Sequence, residues 1–138
     1  MRHPLTNNAI KESLDTIAAR DRNVRRVLEV VGYPEARRRP EGFETFLRII
    51  VGQQVSVAAA SAIYGRLIGA LGTEVSASRL LRLRESTLRK AGLSGAKCKY
   101  ARALAQAIRE GELDIAALRE LSDKEALVQI QAVPGLGR

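Results

Sequence analysis

Tryptophan is absent from this chain of 138 residues, and cysteine and histidine occur once each. With Cys98 as the lone thiol, disulfides within the chain and thiolate metal sites are excluded, and nothing points to an oxidising compartment, so a reduced cytoplasm is expected. His3 and Cys98 stand isolated, which argues against a transition-metal site. Long apolar runs are also lacking. Arg or Gln interrupts every hydrophobic stretch, and Met1 to Asn8 carries no signal-peptide core, so neither membrane insertion nor secretion is indicated. No segment alternates polar and apolar residues between hairpin turns, which leaves strands without support, and no fixed-period repeat occurs.

Acidic residues are in deficit as well, 15 against 23 Lys plus Arg, for a net charge of +8. Most of the cations are Arg, whose guanidinium holds phosphate oxygens bidentately, so a polyanionic partner is expected. Hydrophobic residues make up 46% and charged residues 28%, proportions that exclude wholesale disorder and require a core. The length suits one domain.

The apolar periodicity predicts an all-α chain. Ile10, Leu14 and Ile17 follow the capping candidates Thr6, Asn7 and Asn8, giving a helix over 8–19. Asp21 caps a second helix with a stripe of Val24, Val27, Leu28 and Val31, which Gly32 stops in a left-handed conformation. Residues 33–41, with Pro34, Pro40 and the run Arg37 to Arg39, form a connector, such a run being most often a solvated loop and sometimes a phosphate contact. Phe43, Phe46, Leu47, Ile50 and Val51 repeat as the wide face of a core helix. Ser56 caps a helix through Leu71, whose Ala58, Ala59, Ala60 and Ala62 are expected to admit close neighbours. Short helices over 77–83 and 86–91 follow, then a long one from Ser94 to about Glu110 with Tyr100, Leu104 and Ile108 on one face. A turn or short helix follows around Leu113 to Leu118. Ser122 and Glu125 form an S-x-x-E capping box for a helix over 123–132.

The segment after that helix, Val133, Pro134, Gly135, Leu136, Gly137 and Arg138, has the chemistry of an anion-binding hairpin. Its glycines reach backbone angles closed to other residues and leave amide N–H groups uncovered for a phosphate. An ordinary Gly-rich turn has the same residues.

Context distinguishes the two. Gly42 to Ser56 (GFETFLRIIVGQQVS) resembles the signature of the helix-hairpin-helix DNA glycosylases, and the 3-methyladenine DNA glycosylase II group in particular. Asp21 to Gly32 (DRNVRRVLEVVG), Leu88 to Leu104 (LRKAGLSGAKCKYARAL), the turn Gly111 to Asp114 and the closing LVQIQAVPGLGR extend the resemblance in the family's order and spacing. It implies an all-α glycosylase bundle without its C-terminal helices. Residues 1–41 would belong to the family's split helical subdomain, and 42–138 would form the central bundle ending at the hairpin.

The implied activity belongs to base excision repair: hydrolysis of the N-glycosidic bond of an alkylated purine flipped from double-stranded DNA. Water is the implied nucleophile, because the hairpin offers Arg138 where related lyases carry a Lys. By resemblance, Gln54 wedges into the duplex, Gly135, Leu136, Gly137 and Arg138 contact DNA, and Gln53 and Ser56 support the site structurally, Gln53 by satisfying backbone groups at the helix break. No cofactor is required, although backbone carbonyls of Gln131, Val133 and Leu136 would hold a Na or K ion. The family's catalytic Asp, which stabilises developing oxocarbenium charge, is expected beyond Arg138. This chain is therefore expected to be inactive alone, and without Trp and with five aromatics it provides no complete base pocket. In a bacterium the protein would associate with the nucleoid. Exposed stripes on the first two helices imply self-association or a second chain. Two other readings remain open, a non-catalytic helix-hairpin-helix DNA-binding module and a helical scaffold whose arginines are incidental.

Overall fold

The computed structural model of the chain describes residues 5–137, and among these every regular element is helical. The chain divides into two compact units, one ending at Arg39 and the other starting at Pro40.

The first unit is a helical hairpin. Thr6 caps α1 (Asn7–Ala18) by accepting the Ala9 N–H, and Asp21 caps α2 (Arg22–Val31) by accepting the N–H groups of Asn23 and Val24. Arg25 reaches back from α2 and donates to the Ala18 carbonyl through Nε at 3.2 Å and Nη2 at 3.1 Å, closing the α1 C-terminus. The connector then folds along α1: the Tyr33 hydroxyl donates to Asp15, and the Ala36 N–H donates to Asn7 Oδ1 at 2.7 Å. Gly32 does not take the left-handed helical stop that the sequence suggests. Its φ of 74° and ψ of −167° lead the chain out of α2 extended, a combination that only glycine adopts readily. Ala18 is the one fully buried apolar residue of this unit among those described.

The second unit holds α3 (Phe43–Gly52), α4 (Val57–Leu71), α5 (Ala77–Arg82), α6 (Glu85–Ala91), α7 (Gly95–Arg109), a 3-10 turn (Ala117–Glu120) and α8 (Asp123–Gln131). Helix α7 is central and packs against α3, α5 and α6. Its Cys98, Ala101 and Ala105 face one apolar cluster with Leu47, Val51, Leu67, Leu80 and Leu88. Its Leu104 and Ala107 face a second cluster with Ile50, Leu113 and Val133, against which Tyr100 and Leu136 pack.

The small residues that let helices approach are thus largely those of α7, and of the expected alanines of α4 it is Ala60 that faces α3, where a Cβ at Gly52 would lie 3.9 Å from its own. Tyr64, Leu67 and Leu71 fix the inward side of α4. At 100° per residue that turns Ala58 and Ala62 to the opposite side, where both are exposed, and leaves Ala59 and Ala60 half-buried.

Candidate nucleic-acid interface

Two chain breaks meet beside the N-terminus of α7. The first joins α3 to α4. Helix α3 ends when Gln53 turns extended, with its N–H donating to the Ile50 carbonyl at 3.3 Å, and Ser56 starts α4 by accepting the Ala59 N–H at 3.1 Å. Between them Gln54 has a φ of 56°, the one described non-glycine residue with positive φ. Its side chain is exposed, so no packing contact explains that strained backbone.

The second break is the hairpin after α8. That helix begins with the full capping box, Ser122 accepting the Glu125 N–H and the Glu125 carboxylate accepting the Ser122 N–H. These bonds hold the Glu125 carboxyl below its ordinary range. Val133 buries itself in the second cluster, and the Leu136 N–H donates to the Val133 carbonyl at 3.2 Å. Gly135, at φ 90°, rides directly over Tyr100: a Cβ there would fall 2.6 Å from Tyr100 Cβ, 2.7 Å from Cδ2 and closer still to Cγ. Glycine is required twice over, by the backbone angle and by the ring.

Gln53 ties the breaks together, its Nε2 donating to the Gly135 carbonyl at 2.8 Å across 82 residues of sequence. The bond reaches the hairpin rather than a backbone group of the helix break, where the sequence places its partner. From α7, Lys97 Nζ donates to the Val51 carbonyl at 2.8 Å and so closes the C-terminus of α3. These residues border a cleft of about 760 Å³ lined by Gln53, Gln54, Val55, Ser94, Ala96, Lys97, Tyr100, Gly135 and Gly137.

Among the described residues no carboxylate lines this cleft, while the N-terminus of the 15-residue α7 and the Lys97 cation border it. Its electrostatics suit an anion. Five carboxylates are engaged elsewhere: Glu44 accepts from Tyr64 and pairs with Arg48 at 3.5 Å, Glu41 pairs with Arg119 at 2.5 Å, and Asp21, Asp114 and Glu125 accept backbone N–H groups. Burial, then the Glu44 bond, push the Tyr64 phenol up to about 12. Burial likewise pushes the Cys98 thiol up, which leaves it unreactive.

Of the residues singled out from sequence, Gln53, Gln54, Gly135 and Gly137 line the cleft. Ser56 caps α4 beside it, Leu136 packs against the second apolar cluster, and Arg138 lies outside the described residues. Ser94, Lys97 and Tyr100 were missed as lining residues. Ser94 reads locally as a cap and Tyr100 as a core face, and no local signal points Lys97 at a carbonyl 46 residues away. Among the described residues no group of three His, Cys, Asp or Glu could hold a metal ion.

Residues 47–136, from α3 to the hairpin, match the profile of the HhH-GPD superfamily base excision DNA repair proteins. Among solved structures, a DNA-3-methyladenine glycosidase from Bacillus halodurans is similar at 31% identity and a TM-score of 0.75, over 90% of this chain and 58% of that one. The 3-methyladenine DNA glycosylase Mag1 of Schizosaccharomyces pombe, in complex with abasic DNA, shares the fold at 24% identity and a TM-score of 0.70, over 86% of this chain and 60% of that one. The chain thus spans less than two thirds of the length of either structure. No curated protein sequence matches it significantly. With the matched region covering both chain breaks and the helices that hold them, the chain belongs to the HhH-GPD superfamily of base excision DNA repair proteins.

Proposed function

We propose that this chain forms the DNA-engaging part of a monofunctional DNA glycosylase that hydrolyses the N-glycosidic bond of alkylated purines of the 3-methyladenine type, flipped out of duplex DNA. The observation that carries the reading is Gln54: an exposed side chain on a strained turn, tied one residue away to a Gly-rich hairpin, within the family region. The 3-methyladenine class is supported by the Bacillus halodurans glycosidase at 31% identity.

In this reading Gln54 fills the space left by the flipped nucleotide, and the amides of Gly135 and Gly137, with Arg138, hold a backbone phosphate, while the Leu136 N–H, donated to the Val133 carbonyl, keeps the hairpin closed around it. Gln53 and Ser56 keep the surrounding turns in place. The carbonyls of Gln131, Val133 and Leu136 are neutral oxygen donors suited to a monovalent cation. The glycine at 137 supports this, because a Cβ there would come within 3.2 Å of the Gln131 oxygen and crowd the cradle.

Catalysis needs a carboxylate near the developing sugar cation, and none lines the cleft among the described residues. The 138-residue polypeptide should therefore bind DNA but release no base. The test pairs two measurements on this polypeptide, affinity for a duplex with a tetrahydrofuran abasic-site analogue against its matched duplex, and single-turnover release from methylated DNA. Preference for the abasic duplex without release is expected. Equal affinity for both duplexes would overturn the wedge, and release at an enzymatic rate would overturn the assignment of chemistry to a carboxylate outside the cleft.

A further inference from the structure

We infer that Gln53 is a positioning residue: by bonding the hairpin it fixes the turn that presents Gln54, and so sets how well the protein tells a gapped duplex from an intact one. The inference deepens the reading of the cleft as a DNA interface and rests on it.

Three features of the geometry carry the inference. The Gln53 N–H ends α3 on the Ile50 carbonyl, so its backbone is anchored on one side. Its Nε2 donates to the Gly135 carbonyl at 2.8 Å, and among the described residues this is the one hydrogen bond between residues 53–56 and 133–137. Gly135 is in turn held against the Tyr100 ring, so the acceptor is a fixed point. Gln54 follows immediately at φ 56°, a conformation an L residue keeps only when its neighbours are held.

A side chain that must enter a duplex gap does so most favourably when its direction is set beforehand, because ordering it on binding would cost affinity. An intact duplex has no gap to fill and gains nothing from that preorganisation. Loss of the Gln53 bond should therefore lower affinity for the gapped duplex selectively. Purely local support of α3 or the hairpin would instead alter both affinities together.

The test uses the 138-residue chain with Gln53→Met, which keeps the volume and removes the donor, and Gln53→Glu, which donates only when protonated. Probes are the tetrahydrofuran duplex and its matched duplex, with circular dichroism as a check on folding and hydrogen exchange at the Leu136 amide as a readout without DNA. Gln53→Met should reduce discrimination by about fivefold, with matched-duplex affinity within about twofold of wild type and faster Leu136 exchange. Gln53→Glu should discriminate as poorly near neutral pH and recover, relative to wild type at the same pH, as its carboxyl protonates. Lys97 and Tyr100 of α7 border the same cleft, and the Lys97 cation would favour the ionised carboxyl, which places that recovery in acid. Unchanged discrimination in Gln53→Met, equal loss on both duplexes, or no acid recovery in Gln53→Glu would overturn the inference. If the wild type itself does not discriminate, the functional reading fails. The exchange arm then decides the coupling, with wild-type exchange in Gln53→Met overturning it and faster exchange sustaining it.

Discussion

Two glycines with similar φ values differ widely in what they permit. At Gly32 a Cβ would meet nothing within 4 Å, so Gly32→Ala bears only the backbone cost, about 1–3 kcal/mol. At Gly135 the same methyl enters the Tyr100 ring, and strain and overlap together predict a loss of about 2–5 kcal/mol by denaturant unfolding. Adding Tyr100→Ala should return part of that loss, because the overlap with the ring atoms disappears while the contact with the Cβ at 2.6 Å and the backbone cost stay; a double mutant no more stable than its singles predict would show that the ring is not the obstacle. Tyr64 gives a pH signature at the same scale. Its folded pKa, about 12, lies above the unfolded value, so its contribution is complete below pH 10 and is lost as pH rises through about 12. Phenolate absorbance should show a late-titrating group that Tyr64→Phe removes, and Tyr64→Phe should weaken the alkaline fall in stability.

At the scale of elements, helix starts were legible, as were the glycines that stop α4, α6 and α7 at Gly72, Gly92 and Gly111, whereas the groups that close the last carbonyls were not. Thr6, Asp21, Ser56, Ser94 and Ser122 each accept an N–H two or three residues ahead, a local bond that spacing reveals. The stops are closed by distant cations: Arg25 on Ala18, Lys97 on Val51, Arg79 on Leu71, Arg102 on Leu83 and Arg66 on Ala91. Their spans of 7 to 46 residues leave no trace in local pattern. Five helices thus end on a guanidinium or ammonium that satisfies orphan carbonyls and meets the negative end of the dipole. The candidate site divides in the same way. Gln54 and the hairpin glycines lie within recognisable motifs, whereas the bond from Gln53 to Gly135 and the wall formed by Ser94, Lys97 and Tyr100 exist only in three dimensions. Replacing Arg66 by Met removes the bond from Nε to the Ala91 carbonyl, 2.8 Å long, and should cost about 1 kcal/mol by denaturant midpoint, with faster exchange at the end of α6. No change in either would show that water serves that carbonyl equally well.

For the whole molecule, this use of arginine qualifies what the net charge of +8 means, because several cations are already committed to carbonyls and carboxylates. DNA affinity should fall with log salt at about −0.9 per phosphate neutralised, with a slope set by the few cations near the cleft and not by all 23; a flat response would remove electrostatics from the account. The first unit raises a different question, since it exposes Val27 at 56%, Val30 at 77%, Val31 at 72% and Ile17 at 49% while burying a single one of its described residues. A groove of about 590 Å³ runs along the same unit, lined by Leu14, Val24, Val27, Leu28, Val31 and neighbours, with little polar surface. Apolar area left in water forgoes roughly 25 cal/mol per Å², so covering these side chains would stabilise any assembly that provides a matching surface. The 138-residue chain should therefore associate with itself at rising concentration, seen as a growing sedimentation coefficient. Val30→Lys with Val31→Lys should return it to a monomer, at little cost to folding because both side chains already face solvent. A wild-type chain that sediments as a monomer at every concentration would mean that these valines need a different polypeptide, or none.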